Sequence, residues 1–169
     1  RLVVGKGTSG DGGDIILTAG ETTRKEQKGG SVVVTAGMGS SDHFANGGDG
    51  GHVHVHGGIA KGKAALKDRG GNITLTGGWA ESSTGGSFVF QTGYGFASSS
   101  GSIAMATRNA GKKGVSGIMQ VYTGTSSIGN SGSFELDTGK ATKGKGGSIN
   151  IRVGTGDSSV GGDVFTRAG

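Results

Sequence analysis

The chain has 169 residues, 41 of them glycine, with no proline and no cysteine, and 17 Lys and Arg against 12 Asp and Glu leave a formal charge of +5. Hydrophobic residues at 31% and aromatics at 5% are too few for a broad globular core. Collagen is excluded by the missing proline and Gly-X-Y period, a disulfide framework by the missing cysteine, and a membrane-spanning helix by the lack of any run near the required ~20 apolar residues.

One phrase recurs from end to end: Gly-x-φ-x-φ-x-x-Gly, with φ apolar. It runs from Gly13 to Gly20, Gly30 to Gly37, Gly51 to Gly58, Gly71 to Gly78, Gly86 to Gly93, Gly117 to Gly124, Gly132 to Gly139, Gly147 to Gly154 and Gly162 to Gly169. The copy from Gly101 ends in Arg108 instead of glycine. An earlier partial copy, read back from Gly7, puts Leu2 and Val4 at its apolar places. The array therefore begins inside a repeat and ends on a closing glycine, which predicts a single array over 1–169 that is a segment of a longer chain.

The two φ places, such as Ile15/Leu17, Val32/Val34, Ile73/Leu75, Phe88/Phe90 and Ile149/Ile151, alternate with period two, the pattern of a strand buried on one face. The next inward place is small or β-branched, from Ala19 and Ala36 to Thr138 and Val153, as in a tapering core. Two residues past the closing place the residue is again small (Thr22, Gly39, Ala60, Ala80, Gly95, Ala110, Ser126, Ala141), so another piece of chain should pass behind it.

A seven-residue strand spans roughly 23 Å, and eight extended residues just cover the way back. These lengths predict an all-β fold: a parallel β-solenoid of about ten short glycine-rich coils with a thin core. An antiparallel meander competes, but it favours tight two-residue hairpins, and the connections here are longer.

The middle outward place carries Ile16, Val33, Val89, Ala104 and Phe165, among others, which marks an assembly face for copies of itself or similar repeat chains. Strand propensity alone would also favour β-branched residues there. The longest connections, 38–50 and 59–70, should form one lateral knob with Phe44 and Leu66 plugging the core or anchoring a neighbour.

His52, His54 and His56 share one strand face, and a His-x-His pair can chelate zinc or copper; solvated polar decoration is the competing reading. Glu135 and Asp137, with Tyr122 and Arg152 on adjoining turns, make the best enzymatic candidate, and a cross-strand salt-bridge ladder explains the same residues more cheaply. Lys61, Lys63, Lys112, Lys113, Lys143 and Lys145 would gather along a basic edge suited to anionic glycans. Nucleic acid is a poor match because few aromatics interleave with the lysines. Asn72-Ile73-Thr74 is an N-glycosylation acceptor sequence. No motif calls for a cofactor.

Phrases such as Gly-Gly-Asp-Ile-Ile-Leu-Thr-Ala-Gly and Gly-Gly-Asn-Ile-Thr-Leu-Thr-Gly-Gly resemble the glycine-rich surface repeats of heterokont algae and the shaft repeats of viral fibre proteins. The likeness is one of repeat style and covers nearly the whole chain. It implies an extracellular or surface-exposed filament component such as a flagellar hair or fibre shaft, with structural work and no catalysis. A β-helix that binds or cleaves anionic polysaccharide is the alternative.

Overall fold

The computed structural model describes residues 1–64, 67–157 and 160–169, and among these there is no helix and no β-strand. The chain divides into two units, Arg1–Phe90 and Gln91–Gly169. Neither contains a buried residue among those described. The expected β-solenoid is therefore absent, and with it the thin core that Phe44 and Leu66 would have plugged. Phe44 is 97% exposed, and Leu66 lies outside the described residues.

The reason lies in the connections. A solenoid coil needs the opening glycine of one copy to lie roughly 23 Å from the closing glycine of the copy before it, at the far end of the strand. Here those two glycines touch. Gly30 N–H donates to the Gly20 carbonyl at 2.9 Å, Gly51 to Gly37 at 2.8 Å, Gly71 to Gly58 at 2.9 Å, Gly86 to Gly78 at 2.7 Å and Gly101 to Gly93 at 3.1 Å. Each connection thus folds back on its own base as a closed loop instead of crossing to the start of a coil. The entropy of closing a flexible loop grows only slowly with its length, and glycine at the opening end removes the steric barrier to backbone contact.

The same neck recurs at all ten junctions. A Cβ added to the opening glycine would meet Val4 from Gly13, Ala19 from Gly30, Ala36 from Gly51, Thr92 from Gly101, Thr107 from Gly117, Thr123 from Gly132, Thr138 from Gly147 and Val153 from Gly162. From Gly71 and Gly86, where the third inward place is glycine, it would meet the backbones of Gly58 and Gly78. Five of these necks lie in each unit. The third inward place is small for this reason, since it is the seat of the next opening glycine and not the thin end of a core.

This seat corrects the register of the first copy. Val4 occupies it, so Gly5 is the closing residue and Gly7 sits two places beyond, as Gly95 does beyond Gly93. Val4 and Val153 also match in exposure, at 41% and 42%. The Gly5-to-Gly13 spacing then equals the eight-residue spacing of Gly78 to Gly86 and Gly93 to Gly101.

Behind the neck lies a second close approach. A Cβ on Gly7 would lie 3.0 Å from the Asp11 carbonyl, and on Gly39 and Gly95 it would strike the carbonyls of Asp49 and Ser99. In each case the residue two past the closing place faces the residue two before the opening place. The two legs of the loop therefore run in opposite directions across its base. The expectation that chain passes behind this place is met at Gly39 and Gly95, by the loop's own returning leg. Where the place carries a hydroxyl, it bonds within the loop: Thr22 Oγ1 accepts from Arg24 N–H at 3.3 Å, and Ser126 Oγ donates to the Ile128 carbonyl at 3.1 Å.

All seven half-buried residues among those described sit at these two places: Ala19, Ala36, Gly57 and Thr92 at the seat, and Thr22, Gly39 and Gly95 behind the neck. Within the phrases the backbone keeps its period-two character without pairing. Phe88 and Phe90 meet edge to face at 4.4 Å, as side chains two apart on one face of an extended segment do. Ile15 is 53% exposed against 78% for Ile16, so the apolar alternation survives only as a difference in degree.

Candidate functional site

The necks and the phrases between them are the two features that the sequence builds repeatedly, and together they form the candidate interaction surface. At each neck the width depends on the seat. With Ala or Gly there (Ala19, Ala36, Gly57, Gly77), the opening glycine comes within 2.7–2.9 Å of the closing carbonyl; with Thr92 the bond lengthens to 3.1 Å. With Thr107, Thr123 or Thr138 no such backbone bond forms, and a Cβ on the opening glycine would meet the threonine Cβ and methyl. Thr138 compensates by donating its Oγ1 hydrogen to the Gly147 carbonyl at 3.3 Å.

The two flanking glycines differ in what they tolerate. Nothing lies within 4 Å of a Cβ built on the closing residues Gly20, Gly37, Gly58, Gly78, Gly93, Gly124, Gly139 or Gly154. Arg108 stands at this open place, which explains why one copy departs from glycine there without losing the neck at Gly117. At the residue just before the opening glycine a Cβ would meet nothing from Gly12, Gly50 and Gly146 and only the preceding closing carbonyl, at 3.4–3.7 Å, from Gly29, Gly70, Gly85 and Gly161; three copies carry Ser100, Ser116 and Ser131 there. The opening place itself is glycine in all ten copies.

The residues of the expected assembly face, Ile16, Val33, Val89, Ala104 and Phe165, are all exposed, as are Trp79, Tyr94 and Phe96 in the loops. His52, His54 and His56 are brought together: neighbouring ring centroids lie 5.7 and 5.9 Å apart along one face. His43 is not part of that row; its Nδ1 accepts from the Ala45 and Asn46 N–H groups at 3.4 and 3.2 Å, and its ring stacks on Phe44 at 5.0 Å.

No hydrogen bond or ion pair joins the members of the carboxylate cluster. Glu135 accepts from Ser133 Oγ at 3.3 Å on its own segment, and Asp137, Tyr122 and Arg152 have no hydrogen bond or ion pair. Lys61, Lys63, Lys112, Lys113, Lys143 and Lys145 are exposed within their separate loops, and Asn72 is exposed beside its opening glycine. The 38–50 loop is drawn in by Gly48 N–H donating to the Ser41 carbonyl at 3.1 Å, and the 59–70 loop by Asp68, whose Oδ2 accepts from Ala64 N–H at 2.7 Å.

The open closing place was hidden in the sequence by ten glycines and disclosed only by Arg108. The necks left two signals, the small or β-branched seat and the small residue two past the closing place. No protein-family model, curated protein or solved structure matches this chain.

Proposed function

We propose that this chain is a non-enzymatic structural repeat array of an extracellular filament or fibre, in which its exposed apolar phrases associate with those of further copies or similar repeat chains. The observation that carries this reading is the surface left uncovered. A folded monomer of this mass exposes about 7,600 Å², whereas this chain exposes 17,794 Å². Side chains such as Ile16, Val33, Val89 and Phe165 stand in water on repeated phrases, with Trp79 exposed in a loop beside them in sequence, and exposed apolar surface marks association sites. The phrase backbones add unpaired N–H and C=O groups along their length, a second incentive to pair with another chain.

The repeat architecture suits this task because each neck-closed loop holds one phrase ready without help from its neighbours, so an array of any length presents the same unit. The basic loops, from Lys61 to Lys145, would face anionic glycans around such a filament. Sedimentation velocity over a hundredfold range of concentration, followed by electron microscopy, tests the proposal. Concentration-dependent growth into fibres that Val33→Lys with Val89→Lys abolishes is the expected result. A chain that stays monomeric throughout the range would refute it.

A further inference from the structure

We propose that His52, His54 and His56 form a chelating site for a divalent transition ion such as Zn²⁺ or Cu²⁺, bound by neighbouring imidazoles two at a time. The three rings project from one extended phrase between two necks, and their spacing is already close to that of a chelate. With metal–nitrogen bonds of about 2.0–2.1 Å and a ring radius of about 1.1 Å, two imidazoles on one ion have centroids roughly 4.5 Å apart at a right angle and roughly 6.3 Å apart when opposed. The observed separations of 5.7 and 5.9 Å fall inside that window.

None of the three imidazoles is held by a hydrogen bond or ion pair, so each ring can turn toward a shared ion without breaking one. Among the described residues no three His, Cys, Asp or Glu side chains converge on one metal position. The chain therefore supplies two ligands at a time, and water or a second copy of the same row completes the coordination. Imidazole donors suit zinc and copper and do not suit calcium or magnesium, which take oxygen ligands.

The central histidine belongs to both pairs, which gives the site a distinctive test. His54→Ala leaves His52 and His56 about 13 Å apart along the extended chain, too far to share an ion. His52→Ala or His56→Ala leaves one intact pair. Titration of the whole chain with Zn²⁺, followed by calorimetry and by the ring-proton resonances of the histidines, reads the difference. We expect His54→Ala to weaken binding at least tenfold and each outer substitution to weaken it about twofold, with the His43 resonances unmoved. Equal losses from all three substitutions, or a matching response at His43, would mean independent single-imidazole binding and would overturn the site.

Discussion

Gly71 and Gly58 face each other across the base of one loop, the Gly71 N–H donating to the Gly58 carbonyl at 2.9 Å while a Cβ on Gly71 would lie 2.9 Å from the Gly58 nitrogen. One glycine of this pair is sterically required and the other is not, because a Cβ on Gly58 would meet nothing within 4 Å. Gly71→Ala should open the neck at a cost of about 1–3 kcal/mol, the usual penalty for forcing a methyl into occupied space. Gly58→Ala should instead be neutral or stabilising by about 0.4–1 kcal/mol through the lost freedom of the unfolded chain. Exchange protection of the Gly71 amide distinguishes the two: it falls in the first variant and is kept in the second.

Necks with Ala or Gly at the seat close more tightly than those with Thr. Thr107→Ala should let Gly117 approach the Arg108 carbonyl as Gly30 approaches Gly20, creating a backbone bond of about 0.5–1.5 kcal/mol. The amide of Gly117 should then exchange roughly 2- to 10-fold more slowly, and Ala36→Thr should produce the opposite change at Gly51. Unchanged exchange in both variants would show that the seat does not control the neck.

How much of this was legible in the sequence depends on which distances a repeat pattern encodes. The phrase, its period-two alternation and the opening glycine are visible because side-chain type follows face and crowding directly. Where a connection of seven to thirteen residues goes is not visible: an extended crossing and a closed loop use the same number of residues and the same small, polar composition. The residue behind the neck carried one hint, since Gly39 and Gly95 are small for a backbone carbonyl and not for a sheet, and the small seat carried another. Gly5 and Gly7 illustrate the same limit. Either glycine closes a plausible phrase, and only the seating of Gly13 on Val4, supported by the eight-residue spacing, decides between them.

That register has its own test. Gly7→Val should disrupt the first loop, because a Cβ on Gly7 would lie 3.0 Å from the Asp11 carbonyl, whereas Gly5→Ser should be accepted as Arg108 is. Amide chemical shifts across residues 5–13 should move widely in the first variant and only locally in the second. The reverse pattern would restore Gly7 as the closing residue.

Two loops bend through the left-handed region at residues with side chains, Glu26 and Lys143, both at φ 63°. Such a conformation costs an L-residue about 1–2 kcal/mol, which glycine avoids. Lys143→Gly should therefore tighten the loop between Gly139 and Gly147, read as slower proteolysis within it; faster cleavage would show that the lysine side chain contributes more than its backbone strain removes.

Residue-resolved amide hydrogen exchange on the dilute, unassembled chain tests the central claim most directly. Closed necks joined by unpaired phrases predict slowed exchange at Gly30, Gly51, Gly71, Gly86 and Gly101, together with the loop amides of Gly48, Lys67 and Asp68, and fast exchange along Ile15 to Leu17, Val32 to Val34 and their counterparts. Continuous protection through those phrases would contradict it, because only a hydrogen-bonded sheet within the single chain produces that pattern.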